Sequence, residues 1–268
     1  MGVHRTSIYK QKKVVDLDKY RFYEKEEDEE VLRQIQAVLK QRPSYGYKRI
    51  TALINKDRSQ QGLEQYNKKR ILRVMRKNNL ILPKITGQSY SDKKTGKVMT
   101  LKSNLRWCSD CFEIKCFNGE KVYVAFSLDT CDREIISYIA KPQPILAEDI
   151  ELLMIESVES RFEVLNTPHR IQWLTDRGSV YRAYSTQLMA RKLGLECCYT
   201  MAYSPQSNGM AEAFVGRFKQ DYVYMNDVEN AKVTIDLIKE WINDYNENAP
   251  HSALNMKSPR EFMRLREV

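Results

Sequence analysis

From Leu105 the sequence enters three successive runs with a two-residue period, WCSDCFEIKC, KVYVAFSLDT and REIISYIA, and no other stretch restricts the fold as much. Such alternation specifies strands that turn one face toward a core. The first run ends at Phe117-Asn118-Gly119 and the second at Asp129 to Asp132, both turn-forming, so the runs are expected to pair as an antiparallel meander. Helical spacing follows over Ile145 to Ser160, with Ile150, Leu153, Met154 and Val158 inward. Then come a short buried strand over Arg170 to Thr175, a helix over Tyr181 to Leu193, a brief strand over Glu196 to Thr200 and a loop over Ala202 to Gly209. A last helix, capped by Ser207 or Asn208, carries Glu212. The order βββ, α, β, α, β, α specifies an α/β fold, a mixed sheet with helices on its faces.

Three acids stand where such a fold gathers ligands. Asp110 lies in the middle of an otherwise apolar strand, where a carboxylate is costly unless it is paired or binds a metal. Asp176 closes the fourth strand ahead of Arg177-Gly178-Ser179, and Gly178 permits a tight turn there. Strand ends are where mixed sheets place ligands. Glu212 opens the last helix, and Lys219, seven residues on, falls two turns later on the same face, while Phe214 and Phe218 follow a different stripe. The simpler reading of Glu212 and Lys219 is a surface ion pair, since exposed Glu and Lys are common. Three carboxylates around one point repel unless cations neutralise them, and hard oxygen donors suit Mg²⁺ or Mn²⁺. Two such ions clamp the attacking and leaving oxygens of a phosphoryl transfer.

Other candidates carry less. Glu113 takes the opposite face of its strand from Asp110, and Asp129 and Asp132, next to Arg133, read as turn and ion-pair residues. His4, His169 and His251 show no paired spacing. Of six cysteines, Cys108 and Cys111 have zinc-ligand spacing, but in a strand their opposite parity sends them to opposite faces, so they read as packed thiols.

The net charge of +9 and pI near 9.1 fit a polyanionic partner. No apolar run is long enough to span a bilayer and no secretory segment stands near Met1, so no membrane partner and a cytoplasmic location are expected. Residues 1–25 are a basic segment. Residues 26–82 hold three helical patterns around Pro43 and Tyr45-Gly46-Tyr47, and the third places Lys69, Arg73, Arg76 and Lys77 on one side. This reads as a small all-α helix-turn-helix module whose last helix lies against DNA, or as a bundle with a solvated basic face. Residues 83–104 form a basic linker, 105–225 the catalytic core and 226–268 a C-terminal helical tail.

Taken together, Trp107-Cys108-Ser109-Asp110, Leu174-Thr175-Asp176-Arg177-Gly178-Ser179 and Ser204-Pro205-Gln206-Ser207-Asn208-Gly209-Met210-Ala211-Glu212 resemble the DDE signature of bacterial insertion-sequence transposases, whose cores are similar to retroviral integrases. Asp176 and Glu212 are separated by 35 residues, the interval of that signature, and Lys219 matches the basic residue that follows its Glu. Ser44-Tyr45-Gly46-Tyr47-Lys48-Arg49-Ile50 is similar to the family's helix-turn-helix segment, and Trp241 to Asn246, His251 to Leu254 and Ser258 to Arg260 to its tail. The resemblance implies an RNase H-like core with Asp110, Asp176 and Glu212 as catalytic metal ligands for two Mg²⁺ or Mn²⁺ ions. It implies cleavage of element ends and strand transfer into target DNA. The implied partners are double-stranded DNA, other copies in a homo-oligomer on DNA, and an upstream-frame protein, at the bacterial nucleoid. Lys219 and Arg217, with the basic stripe of the helical module, are the expected DNA contacts. A non-catalytic DNA-binding regulator made from the second reading frame and a nuclease acting on RNA–DNA hybrids are the alternatives. Gly216, inside the catalytic helix, departs from good helix chemistry by about 1 kcal/mol relative to Ala.

Overall fold

The computed structural model describes residues 25–82, 100–200 and 209–266. The N-terminal basic segment, most of the linker and the loop from 202 with its cap at Ser207 or Asn208 lie outside the described residues. The chain forms two compact units, residues 1–85 and 86–268.

The first unit is built from α1 (Asp28–Gln41), α2 (Tyr47–Gln60) and α3 (Lys68–Lys77). Asp28, Glu29 and Glu30 occupy the first turn of α1, where the helix dipole favours anions. The Asn67 side chain caps α3 by accepting the Lys69 amide at 2.9 Å. Val31, Ile35, Ile50, Ile71 and Met75 are fully buried between the three helices. Asp28 also takes Arg70 at 2.9 Å and Arg73 at 2.6 Å. Arg73 is therefore half-buried and spent on α1, whereas Lys69, Arg76 and Lys77 are exposed. Charge periodicity alone cannot separate an internal strut from exposed cations on the same helix.

The second unit is a five-stranded sheet of order β3-β2-β1-β4-β5. Its strands are β1 (Arg106–Lys115), β2 (Lys121–Asp129), β3 (Ile135–Lys141), β4 (Ile171–Thr175) and β5 (Leu195–Tyr199). The first three pair antiparallel, and β4 and β5 join parallel beside β1, which makes the mixed sheet that the order of elements implies and the RNase H-like form that the resemblance implies. Gly119, at φ 88°, supplies the left-handed residue of the β1–β2 turn. On one face, α4 (Ala147–Phe162), α5 (Ser179–Arg182) and α6 (Tyr184–Lys192) close a core with Trp107, Ile150, Leu153, Trp173 and Tyr181. The helix expected over Tyr181 to Leu193 is thus two helices, because Ala183 adopts an extended ψ of 140° between them. On the other face, α7 (Gly209–Asp221) and α8 (Ala231–Asn248) bury Phe214, Phe218, Trp241 and Tyr245 over Cys108, Ile114 and Phe126. Cys108 packs in this second core and Cys111 against the first, as their strand parity requires.

The segment 226–268 packs into this same unit. The Asn246 amide accepts from Ile135 N and donates to Ile135 O, both at 2.9 Å, and so completes the backbone of β3 from inside α8. A charged network then secures α9 (Pro259–Arg264). Arg161, 6% exposed, pairs with Asp132 at 3.2 Å and Glu134 at 3.0 Å. Arg260 joins Glu134 at 2.7 Å to Glu247 at 3.0 Å. Asp132 therefore uses Arg161 on α4, and Asp129 accepts the Asn104, Cys131 and Asp132 amides. Burial, and then the neighbouring Asp132 carboxylate, push Asp129 up to about 6.

Removing one partner of a buried ion pair costs about 3–5 kcal/mol, because the other charge is left uncompensated. Arg161→Met should therefore lower the thermal midpoint by roughly 10 °C. A shift indistinguishable from that of an exposed substitution such as Arg33→Met would show that Asp132 and Glu134 do not depend on Arg161.

Candidate active site

The parallel register sets two of the three carboxylates. Arg106, Trp107 and Cys108 pair with Gln172, Trp173 and Leu174. The same offset carried two residues further places Asp110 beside Asp176, one residue past the end of β4. Asp110 shares a strand face with Cys108 and Phe112, the face on which α7 packs. Glu212, in the first turn of α7, is exposed on that side of the sheet, as is Asp176 at its strand end.

What fixes α7 is aromatic. Phe214 lies 4.6 Å from Phe126 between ring centroids and 5.1 Å from Tyr245, and Phe218 lies 5.9 Å from Phe112. These offset and edge contacts add about 0.5–1.5 kcal/mol each beyond area burial. Gly216, on the outer side of α7, has open space around the position of a Cβ. Lys219 sits over the Phe112 ring with its Nζ 5.6 Å from the centroid, and its charge helps to hold the exposed Glu113 carboxyl below its ordinary value after Lys121 has done most of that work. Glu212 and Lys219 make no ion pair among the described residues. Arg217 is exposed and reaches Gln220 at 3.3 Å.

The Asp176 carboxylate is aimed by its own turn, because Gly178 N donates to Oδ1 at 2.8 Å. A Cβ on Gly178 would stand 3.0 Å from that oxygen, so a larger residue there would press on the carboxylate, while the backbone angle at 178 is an ordinary one. Arg177 Nε donates to the Thr200 carbonyl at 3.1 Å and ties this turn to the end of β5. Beneath, the buried Tyr181 hydroxyl meets Ser109 Oγ at 3.0 Å and Cys111 Sγ at 3.4 Å. Sequence reasoning passed over Arg177 and Tyr181. The available signal was Ser109, an inward hydroxyl in a buried strand, which needs a partner.

Asp110 is half-buried, and its Oδ1 accepts only the amide of Cys111, at 2.8 Å. Burial, followed by the Asp176 and Glu212 charges, raises its carboxyl to about 6, while the Cys111 amide opposes the rise. No Lys or Arg pairs with Asp110, Asp176 or Glu212 among the described residues. The three carboxylates feel one another without closing into one shell, and among the described residues no three His, Cys, Asp or Glu side chains stand close enough to hold a metal ion. Like charges with no cationic side chain between them keep apart, and Glu212 enters from a separate helix. As donors they fit a hard divalent cation, which would relieve the repulsion that lifts Asp110. The nearby Cys111 thiol, pushed up to about 11 by burial and facing Tyr181, is unsuited to ligation.

Comparison with known proteins identifies the family. Residues 101–205 match the family described as Integrase core domain, residues 193–259 match a second family of that description, and residues 26–86 match the HTH-like domain. An uncharacterized protein of insertion element IS136 from Agrobacterium fabrum is 46% identical over 190 residues, 70% of this chain and 97% of that protein. Transposase InsD of insertion element IS2 from Escherichia coli is 40% identical over 243 residues, 90% of this chain and 80% of InsD. In fold, a chain of the simian T-cell lymphotropic virus intasome, solved in complex with PP2A regulatory subunit B56 gamma, aligns at a TM-score of 0.51 and 17% identity over 62% of this chain and 56% of that one. The chain belongs to the integrase-core transposases of bacterial insertion elements. Among the described residues no helix is long and apolar enough to cross a membrane.

A carboxyl raised in the folded state binds its proton more tightly there than in the unfolded chain, so its contribution to stability is present in acid and lost as pH rises through about 6. Asp176→Asn keeps the acceptor for Gly178 N and removes one of the charges that oppose Asp110. In EDTA at pH 8 this variant should melt about 1–3 °C above the parent, and the gain should vanish by pH 4.5, where Asp110 is protonated. An equal gain at both pH values would mean that Asp176 does not act on Asp110 through charge.

Proposed function

We propose that this protein is a DNA transposase that cuts the ends of its element and joins them to target DNA, with Asp110, Asp176 and Glu212 as the catalytic carboxylates. What supports this reading is the β1–β4 register, which brings the half-buried Asp110 beside Asp176 on the face where α7 carries Glu212, with no cationic side chain paired to them among the described residues. Such a set is poor as a structural cluster and well suited to divalent cations. Two Mg²⁺ or Mn²⁺ ions held by these oxygens would supply Lewis acidity at the reacting phosphate and ease formation of the attacking oxyanion.

The chain's own residues do the positioning. Gly178 N and the Asp176 turn aim one carboxylate, and the β1 register sets the second. The aromatic packing of Phe214 and Phe218 orients the first turn of α7, which carries the third. Lys219 and Arg217 lie on the helix that presents Glu212 and contact the DNA backbone. In the joining step a 3′-hydroxyl oxygen attacks phosphorus in line, a new P–O bond forms and the target's P–O3′ bond breaks; the attacking hydroxyl gives its proton to solvent and the leaving O3′ takes one up, to depart as a 3′-hydroxyl. Lys69, Arg76 and Lys77 on α3 hold duplex DNA. Assembly as a homo-oligomer on DNA and joining to an upstream-frame protein belong to the same reading.

Glu212→Gln and Asp110→Asn should each reduce end cleavage and strand transfer by at least about a thousandfold while duplex binding stays within about threefold. Strand transfer retained by either variant would remove that residue from the site, whereas duplex binding by a parent that neither cleaves nor transfers strands would favour the regulator. Mg²⁺ should raise the thermal midpoint of the parent and not of the double variant. For the first unit, changing Lys69, Arg76 and Lys77 to Gln should flatten the salt dependence of duplex binding by about three phosphate contacts. Arg73→Gln should mainly destabilise the module, because it removes one of the two arginines that hold Asp28.

A further inference from the structure

Arg170, Arg191 and Thr167 share a groove that the carboxylate site does not use. It has a volume of about 590 Å³ and runs along the outer side of β5, between that edge strand and α6. Arg170 and Arg191 are exposed on its walls, and neither pairs with a carboxylate among the described residues. At its floor, Thr167 is 8% exposed and its Oγ1 has no hydrogen-bond partner. That hydroxyl has room only because residue 194 is glycine, since a Cβ there would stand 2.2 Å from it. The walls also carry His169, whose Nε2 is engaged with the Asn104 carbonyl at 2.8 Å, and Glu196. Two guanidinium groups against one carboxylate, with a buried hydroxyl left to satisfy, favour an anionic ligand with several oxygens.

The position of the groove says which one. Thr167 and Arg170 precede β4, whereas Asp176 follows it, and a five-residue strand spans about 16 Å. Along duplex DNA that distance is about five base pairs, half a helical turn, at which the complementary strand's backbone comes round to the side the first strand faced. We propose that this groove is a second phosphodiester contact, in which Arg170, Arg191 and the Thr167 hydroxyl hold the backbone of a duplex about half a turn from the phosphate at the carboxylates. The inference rests on the proposed DNA-joining function and adds a path for the duplex along the β4–β5 edge.

The test uses the full chain and a generic 30-base-pair duplex, with affinity measured from 50 to 300 mM salt. Arg170→Ala with Arg191→Ala should lower affinity about tenfold or more at 100 mM and reduce the salt slope by about 2, with the thermal midpoint unchanged. Changing Lys232 and Lys239 on α8 should leave the slope as it is. If the parent binds with a steep slope that the Arg170/Arg191 variant keeps, the groove is not on the DNA path, and the transposase reading stands without it. If the parent shows no salt-dependent duplex binding, the reading beneath the inference fails as well. A variant that binds DNA normally and loses binding to a poly-glutamate peptide would assign the groove to an acidic protein partner and overturn the proposal.

Discussion

Burial of a carboxylate in the middle of β1 is the constraint on which the catalytic unit turns. Asp110 is held among apolar neighbours by the same strand alternation that buries Cys108 and Ile114 on its face. A sheet organised for stability would place an apolar side chain there. The cost is tolerated because the rest of the unit is over-determined. Two cores close on opposite faces of the sheet, and buried hydroxyl and amide pairs such as Ser127 with Ser157 and Asn246 with Ile135 complete what the strands leave open.

The unit also shows how aromatic packing can position a helix. α7 is short and carries a glycine in its interior, so it has little intrinsic stability. Phe214 and Phe218 anchor it through rings on β1, β2 and α8, and that leaves its outer side free to carry charge. The carboxylate at its first turn is thus fixed by rings two and six residues further on, on the opposite side of the helix.

Much of this was legible from the chain. The period of two from Leu105, the turn at Asn118-Gly119 and the alternation that follows determine a mixed sheet, and the spacing of Asp110, Asp176 and Glu212 singles out the acids on one side of it. Three things were not legible, two of them because they depend on distant partners. Arg73 reads as one of four cations on a helix until Asp28, far away in sequence, is seen to take it. Tyr181 reads as an ordinary helical residue until Ser109 is beneath it. No local breaker marks the break at Ala183, across which the Thr186 hydroxyl donates to the Val180 carbonyl at 2.9 Å.

The Asn246 amide and the Arg161 network bear on where this unit can be divided. A cut at residue 225, just past the last motif acid, would look natural from the signature. It would strip Tyr222 and Phe218 of Trp241, leave Ile135 without its amide partner and expose Glu134 to the loss of Arg260. A piece that keeps these contacts reaches from the approach to β1 through α9, so the tail is part of the sheet's own packing.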